Sequence, residues 1–151
     1  MRPVPNRSGD KRCLDAGFGE PVRYRLHGNP SCAPIAVLGG ISADRFCERW
    51  WSPVVGPDGA LDPRHRRILS FDWLATGTAA AGEVSTADQA DALARVLDHL
   101  GMERMEALVG ASYGAMVGLA FAARHPARLG RLIAISGAHR STPSATARRL
   151  V

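Results

Sequence analysis

Gly110-Ala111-Ser112-Tyr113-Gly114 sets a serine between two glycines, each two residues away. That spacing suits a nucleophile carried on a sharp turn from a strand into a helix, where only small residues let the two backbones approach. The chemistry would be acyl transfer through a serine ester, with the charge on the carbonyl oxygen held by backbone N–H groups. In a chain of this glycine and serine content the pattern arises by chance in about one sequence in nine, so the setting must decide. Met105 to Gly110 is expected as a buried strand, and residues 113–125 as a small-residue helix stopped by His125-Pro126. Ser112 falls at their junction. The competing reading is a glycine-rich turn with a serine helix cap and no catalysis.

Two backbone donors would complete such a site. One is expected at the N–H of Tyr113, where the helix that follows also turns its positive end toward the serine. The second is expected from Gly39-Gly40-Ile41, at Gly40 or Ile41, and the sequence does not choose between them. A general base is harder to find. A serine on this kind of turn takes its acid and its histidine from later strands. Of His27, His65, His99, His125 and His139, only His139 follows the serine at the carboxyl end of a strand, where it could touch substrate, although it reads first as a loop residue held by local hydrogen bonds. His99 and His125 sit at helix ends, where they face the helix dipole. Asp72 also ends a strand but precedes the serine, and reads as a structural cap. No complete triad can be drawn.

The elements that must position the serine follow from period and punctuation. Pro21 to Leu26 alternates as a half-exposed strand, and His27-Gly28-Asn29-Pro30 reads as a turn. Pro34 to Leu38 and Arg67 to Asp72 are short apolar runs, the mark of strands buried on both faces of a parallel sheet. Between them lie a short helix near Phe46 to Trp51 and a Pro/Gly-rich loop from Pro53 to Pro63. Ser85-Thr86-Ala87-Asp88 offers a helix cap ahead of an apolar stripe of Ala90, Leu93, Ala94, Val96, Leu97 and Leu100, closed by Gly101. Leu129 to Ser136 is the last expected strand. Strand and helix alternate, so the fold class is α/β with a mostly parallel sheet and flanking helices. Residues 1–20 read as a loose leader, and 21–151 as one partial domain.

At 151 residues, 46% hydrophobic and 22% charged, the composition is that of one globular domain. The net charge of +5 comes from arginine, Lys11 being the only lysine, and it is scattered, not gathered on one helix or interleaved with aromatics. Nucleic acid is therefore not the expected partner; the excess reads first as a solvated surface, with attraction of anionic substrates as the milder functional alternative. The longest apolar run, Ala115 to Ala123, is about half a membrane span. Cys13, Cys32 and Cys47 make neither a disulfide framework nor a zinc site, and no metal is expected. With no apolar stretch behind the N-terminal charge, the expected location is the cytoplasm.

Several blocks, in order, are similar to one family. Val37-Leu38-Gly39-Gly40-Ile41-Ser42-Ala43, Trp50-Trp51 with Val54-Val55-Gly56-Pro57, and Phe71-Asp72-Trp73-Leu74 resemble the homoserine O-acyltransferases, most closely the homoserine O-succinyltransferase branch of the α/β-hydrolase fold. So do Ala107 to Met116 and Ile135 to Arg140. The resemblance implies a ping-pong transfer in methionine biosynthesis, with Ser112 taking an acyl group (succinyl or acetyl) from acyl-CoA and passing it to the homoserine hydroxyl. Acyl-CoA would be a co-substrate, no cofactor would stay bound, and the full-length protein would form a homodimer. The resemblance further implies a chain that stops before the family's last strands, helical lid, acid and base, and is inactive alone for that reason. An ester or thioester hydrolase of the same fold, or a non-catalytic remnant of it, are the alternatives.

Overall fold

The structure, a computed structural model, describes residues 13–15, 17, 21–74 and 84–139. Six strands form one sheet: β1 Cys13–Leu14, β2 Val22–Gly28, β3 Pro34–Leu38, β4 Arg67–Phe71, β5 Ala107–Ala111 and β6 Leu132–Ile135. Their order across the sheet is β1-β2-β4-β3-β5-β6. β2 runs antiparallel to β1 and β4, while β4, β3, β5 and β6 are parallel. The helices are α1 Cys47–Trp50, α2 Thr86–His99 and α3 Tyr113–Arg124, with a 3-10 turn at Pro126–Arg128.

β3 lies at the centre because its five residues are all buried, and they feed two cores. Ala36 and Leu38 point to one face, where Leu69, Phe71 and Leu108 meet Leu93 and Leu97 of α2 and Val117 and Phe121 of α3. Ile35 and Val37 point to the other, against Ile68, Val109, Cys47, Val55 and Leu61. Burial on both faces is what a continuous apolar run in a parallel sheet requires. α2 begins where its sequence says: the Ser85 hydroxyl accepts from Asp88 N–H, and the Asp88 carboxylate accepts from Ser85 N–H at 2.8 Å. These reciprocal bonds satisfy two donors left open at a helix start. The expected stripe from Ala90 to Leu97 is buried.

Four boundaries differ from the sequence reading. β2 continues through His27 and Gly28, which pair with Ile68 and Arg67, so the turn starts only at Asn29, whose side chain accepts from Ser31 N–H. β5 starts at Ala107, because Met105 makes only an isolated bridge to Leu129. β6 is correspondingly shorter, since the 3-10 turn delivers the chain to the sheet late. Within the expected leader, Cys13–Leu14 pairs with Val22–Arg23, so this part belongs to the sheet; residues 1–12, 16 and 18–20 lie outside the described ones. Among the described residues β6 pairs with β5 alone, and Ile133 and Ile135 on it are exposed.

Candidate active site

The turn from β5 into α3 puts Ser112 in a backbone conformation that side chains rarely adopt. Its φ is 53° and its ψ is −113°. For a residue with a Cβ this costs free energy on the order of 1–3 kcal/mol, so the surroundings must hold it there. They do so through the backbone: Ser112 N–H donates to Ile135 C=O at 2.8 Å, and Ser112 C=O accepts from Ala115 and Met116 N–H at 3.1 and 3.2 Å. The side chain is exposed and makes no hydrogen bond among the described residues.

The two flanking glycines are required by contact. A Cβ on Gly110 would fall on the Gly114 carbonyl, and one on Gly114 would fall on the Leu38 carbonyl. Gly114 N–H then donates to Gly39 C=O at 2.8 Å, which ties the start of α3 to the loop after β3. Strand, helix and loop thus meet with backbone against backbone around the serine.

That loop carries the other expected donors. The Gly40 carbonyl accepts from the Trp73 indole N–H and from Ala43 N–H, each at 2.9 Å. The N–H groups of Gly40 and Ile41 have no acceptor among the described residues, and neither has the N–H of Tyr113, first residue of α3. Ile41 is exposed.

Behind the loop stand residues that sequence reasoning missed. The Trp73 ring meets Phe71 and Tyr113 edge-on, with centroids 5.3 and 4.9 Å away. Gln89, buried in α2, accepts from Leu74 N–H at 3.0 Å and donates to Leu74 C=O at 3.2 Å. Burial raises the pKa of the Tyr113 phenol, against the opposing effect of its hydrogen bond with Gln89. Gln89 shares a helix face with Leu93 and Val96, and that spacing was the available signal of burial. Asp72 is the structural cap expected of it: its carboxylate accepts from Arg45 N–H at 2.9 Å and pairs with the Arg45 guanidinium at 2.5 Å.

All five histidines are described, and none hydrogen-bonds Ser112. His27 lies in β2, far across the sheet. His65 is exposed in a loop, and His99 packs edge-on against Tyr24. His125 caps α3, and its Nε2 meets the Asp91 carboxylate at 2.8 Å, so a side-chain partner joins the helix dipole there. His139 is exposed, just past the end of β6. No cluster of metal-ligating side chains occurs among the described residues.

The sheet order, the strained serine and its glycines agree with a family model: residues 26–150 match the one described as alpha/beta hydrolase fold. The chain belongs to the α/β-hydrolase fold family. This α/β-hydrolase-fold chain is 48% identical over 136 residues to the homoserine O-succinyltransferase of Xanthomonas campestris pv. campestris, covering 85% of itself and 37% of that protein. It is 33% identical to the homoserine O-acetyltransferase of Thermus thermophilus over 66% of itself and 30% of that protein. Among solved structures it is similar to a hydrolase from Pseudomonas aeruginosa PA01, with TM-score 0.76 and 25% identity over 95% of this chain and 52% of that one. The homoserine O-acetyltransferase from Bacillus anthracis matches with TM-score 0.65 and 20% identity over 78% and 41% of the two chains. The chain therefore spans well under half of the curated relatives described. No helix among the described residues is long and apolar enough to cross a membrane.

Proposed function

We propose that Ser112 is the nucleophile of an acyltransferase that moves an acyl group from acyl-CoA to the hydroxyl of L-homoserine, a step of cytoplasmic methionine biosynthesis. The observation that carries this reading is the backbone of Ser112, held at positive φ between β5 and α3 with its hydroxyl free. The likeness to homoserine O-succinyl- and O-acetyltransferases supplies the substrate class. In the first step the Ser112 oxygen bonds to the thioester carbon, the carbon–sulfur bond breaks, and the serine proton leaves with the CoA thiol. In the second, the homoserine oxygen takes the acyl carbon, and its proton returns to Ser112.

Tyr113 N–H is the first oxyanion donor, and peptide geometry favours Ile41 over Gly40 as the second. Each trans peptide points its C=O and N–H to opposite sides. Gly39 C=O faces Gly114 at the start of α3, so Gly40 N–H faces away from it. Gly40 C=O is held by Trp73 and Ala43, so Ile41 N–H is presented on the side opposite them, open to an incoming oxygen.

No imidazole of this chain meets the serine, so acylation should be slow, with the residual rate that oxyanion donors alone support. Intact mass measurement after long incubation with succinyl-CoA tests this. The expected product is one acyl group on the chain, absent in Ser112→Ala and discharged faster by homoserine than by water. Equal labelling of Ser112→Ala would refute the nucleophile, and discharge indifferent to homoserine would point to an ester or thioester hydrolase. That no imidazole hydrogen-bonds Ser112 among the described residues favours one second reading, a non-catalytic form of the fold, for which no acyl-enzyme should appear.

A further inference from the structure

Three guanidinium groups surround one phenyl ring in the segment after β3. Arg25, Arg45 and Arg49 lie 5.4, 4.4 and 4.1 Å from the Phe46 ring centroid. Two of them already have a carboxylate: Arg25 pairs with Glu48 at 3.0 Å, and Arg45 with Asp72 at 2.5 Å. Arg49 is exposed, and among the described residues no carboxylate comes within ion-pair distance of it. The ring face is its partner. With Gly40, Ser42, Ala43, Asp44 and Trp50 it lines an open depression of about 410 Å³. The one carboxylate on that wall, Asp44, accepts from Phe46 N–H through Oδ1 at 2.9 Å, which fixes its position without cancelling its charge. The depression thus joins a backbone position beside the serine turn to a cation that, among the described residues, no carboxylate pairs with.

We propose that Arg49 receives an anionic oxygen group of the acyl donor, a carboxylate at the far end of a dicarboxylic acyl chain or a phosphate of the carrier. This assignment rests on the acyltransferase reading above. A guanidinium stacked on an aromatic face keeps its plane fixed while its N–H edge stays available, the arrangement suited to two-point contact with a carboxylate or phosphate. Holding the group in advance also lowers the ordering cost of binding. Arg25 and Arg45 are unsuited to the task, because a ligand there would have to displace Glu48 or Asp72.

The test is calorimetric titration of the 151-residue chain with succinyl-CoA, butyryl-CoA and free CoA. Succinyl and butyryl share a four-carbon chain and differ in the terminal carboxylate. Arg49→Gln should weaken binding about fivefold to tenfold, and Arg49→Lys, which keeps the charge without the planar fork, by less. A loss confined to succinyl-CoA identifies the carboxylate as the anion; an equal loss for all three identifies a phosphate. Arg131→Gln, an exposed arginine at the opposite end of the sheet, should change nothing. Binding by the unsubstituted chain that Arg49→Gln leaves intact would overturn this assignment alone. Absence of binding to the unsubstituted chain would also overturn this assignment, and the acyl-enzyme measurement on Ser112 then decides the acyltransferase reading separately.

Discussion

Gly114→Ala and Gly118→Ala make the same change one turn apart on α3, and the structure predicts opposite outcomes. A helix-interior glycine replaced by alanine gains about 1 kcal/mol from reduced backbone freedom in the unfolded chain. At Gly114 the added carbon would lie 2.6 Å from the Leu38 carbonyl carbon and 2.7 Å from the Gly39 oxygen. Both are backbone, so no rotamer change relieves the overlap, and α3 must move off β3 by roughly 1 Å to restore ordinary contact. Overpacking of this kind costs about 1–3 kcal/mol where side chains can yield; here they cannot, and the Gly114–Gly39 hydrogen bond is lengthened as well. The net loss should be about 2 kcal/mol or more, or roughly 4–8 °C in Tm for a chain of this size. At Gly118 the neighbours at 2.7 and 2.8 Å are the methyl ends of Leu132 and Leu108, which can swing aside. Gly118→Ala should therefore lie within about 1 kcal/mol of the original. Urea unfolding of the three chains, followed by circular dichroism, measures the difference. Equal midpoints for the two variants would refute the claim that backbone contact at position 114 shapes the serine turn.

Ser112→Gly should stabilise the chain by about 1 kcal/mol, since glycine adopts the observed φ and ψ without strain; a drop in the urea midpoint would contradict the geometry at 112. Ser85→Ala should cost about 1 kcal/mol at neutral pH by removing the α2 cap. Acid should then weaken the original chain more than this variant. The Ser85 hydroxyl holds the Asp88 carboxyl below its ordinary pKa, and Arg124 does the same for Asp91. Groups with a lowered folded pKa bind protons more readily when unfolded. Their stabilisation is complete above the unfolded value near 4 and is lost as pH falls toward the folded one. Urea midpoints between pH 7 and about pH 3 would show this, and parallel slopes for the two chains would count against it.

Much of the frame was legible because local chemistry and global packing agree on it. Pro34–Leu38 is apolar at every position and is buried at every position. Ser85 and Asp88 announce α2, and the glycines at 110 and 114 announce the close approach around Ser112. What escaped was set by distant partners. His27 and Gly28 look like turn residues until β4 is placed beside them. Gln89 follows Asp88 and precedes Ala90, and its polarity masked its place on the buried face. Trp73 gave no sign that its indole would hold Gly40, 33 residues earlier. The base was equally beyond reach, because none of the five imidazoles stands against the serine.

The position of β3 also governs how this sheet can assemble. Ile35 pairs with Ile68 on one side and with Ala107 on the other. Neither neighbour is close in sequence, and the second arrives only after α2 has been made. Loops of that length must close before the pairings are rewarded, which slows folding and lengthens the time an apolar ribbon spends uncovered. During synthesis on the ribosome, the segment from Pro34 to Leu38 would therefore be the place where a chaperone first binds and where misassembly starts.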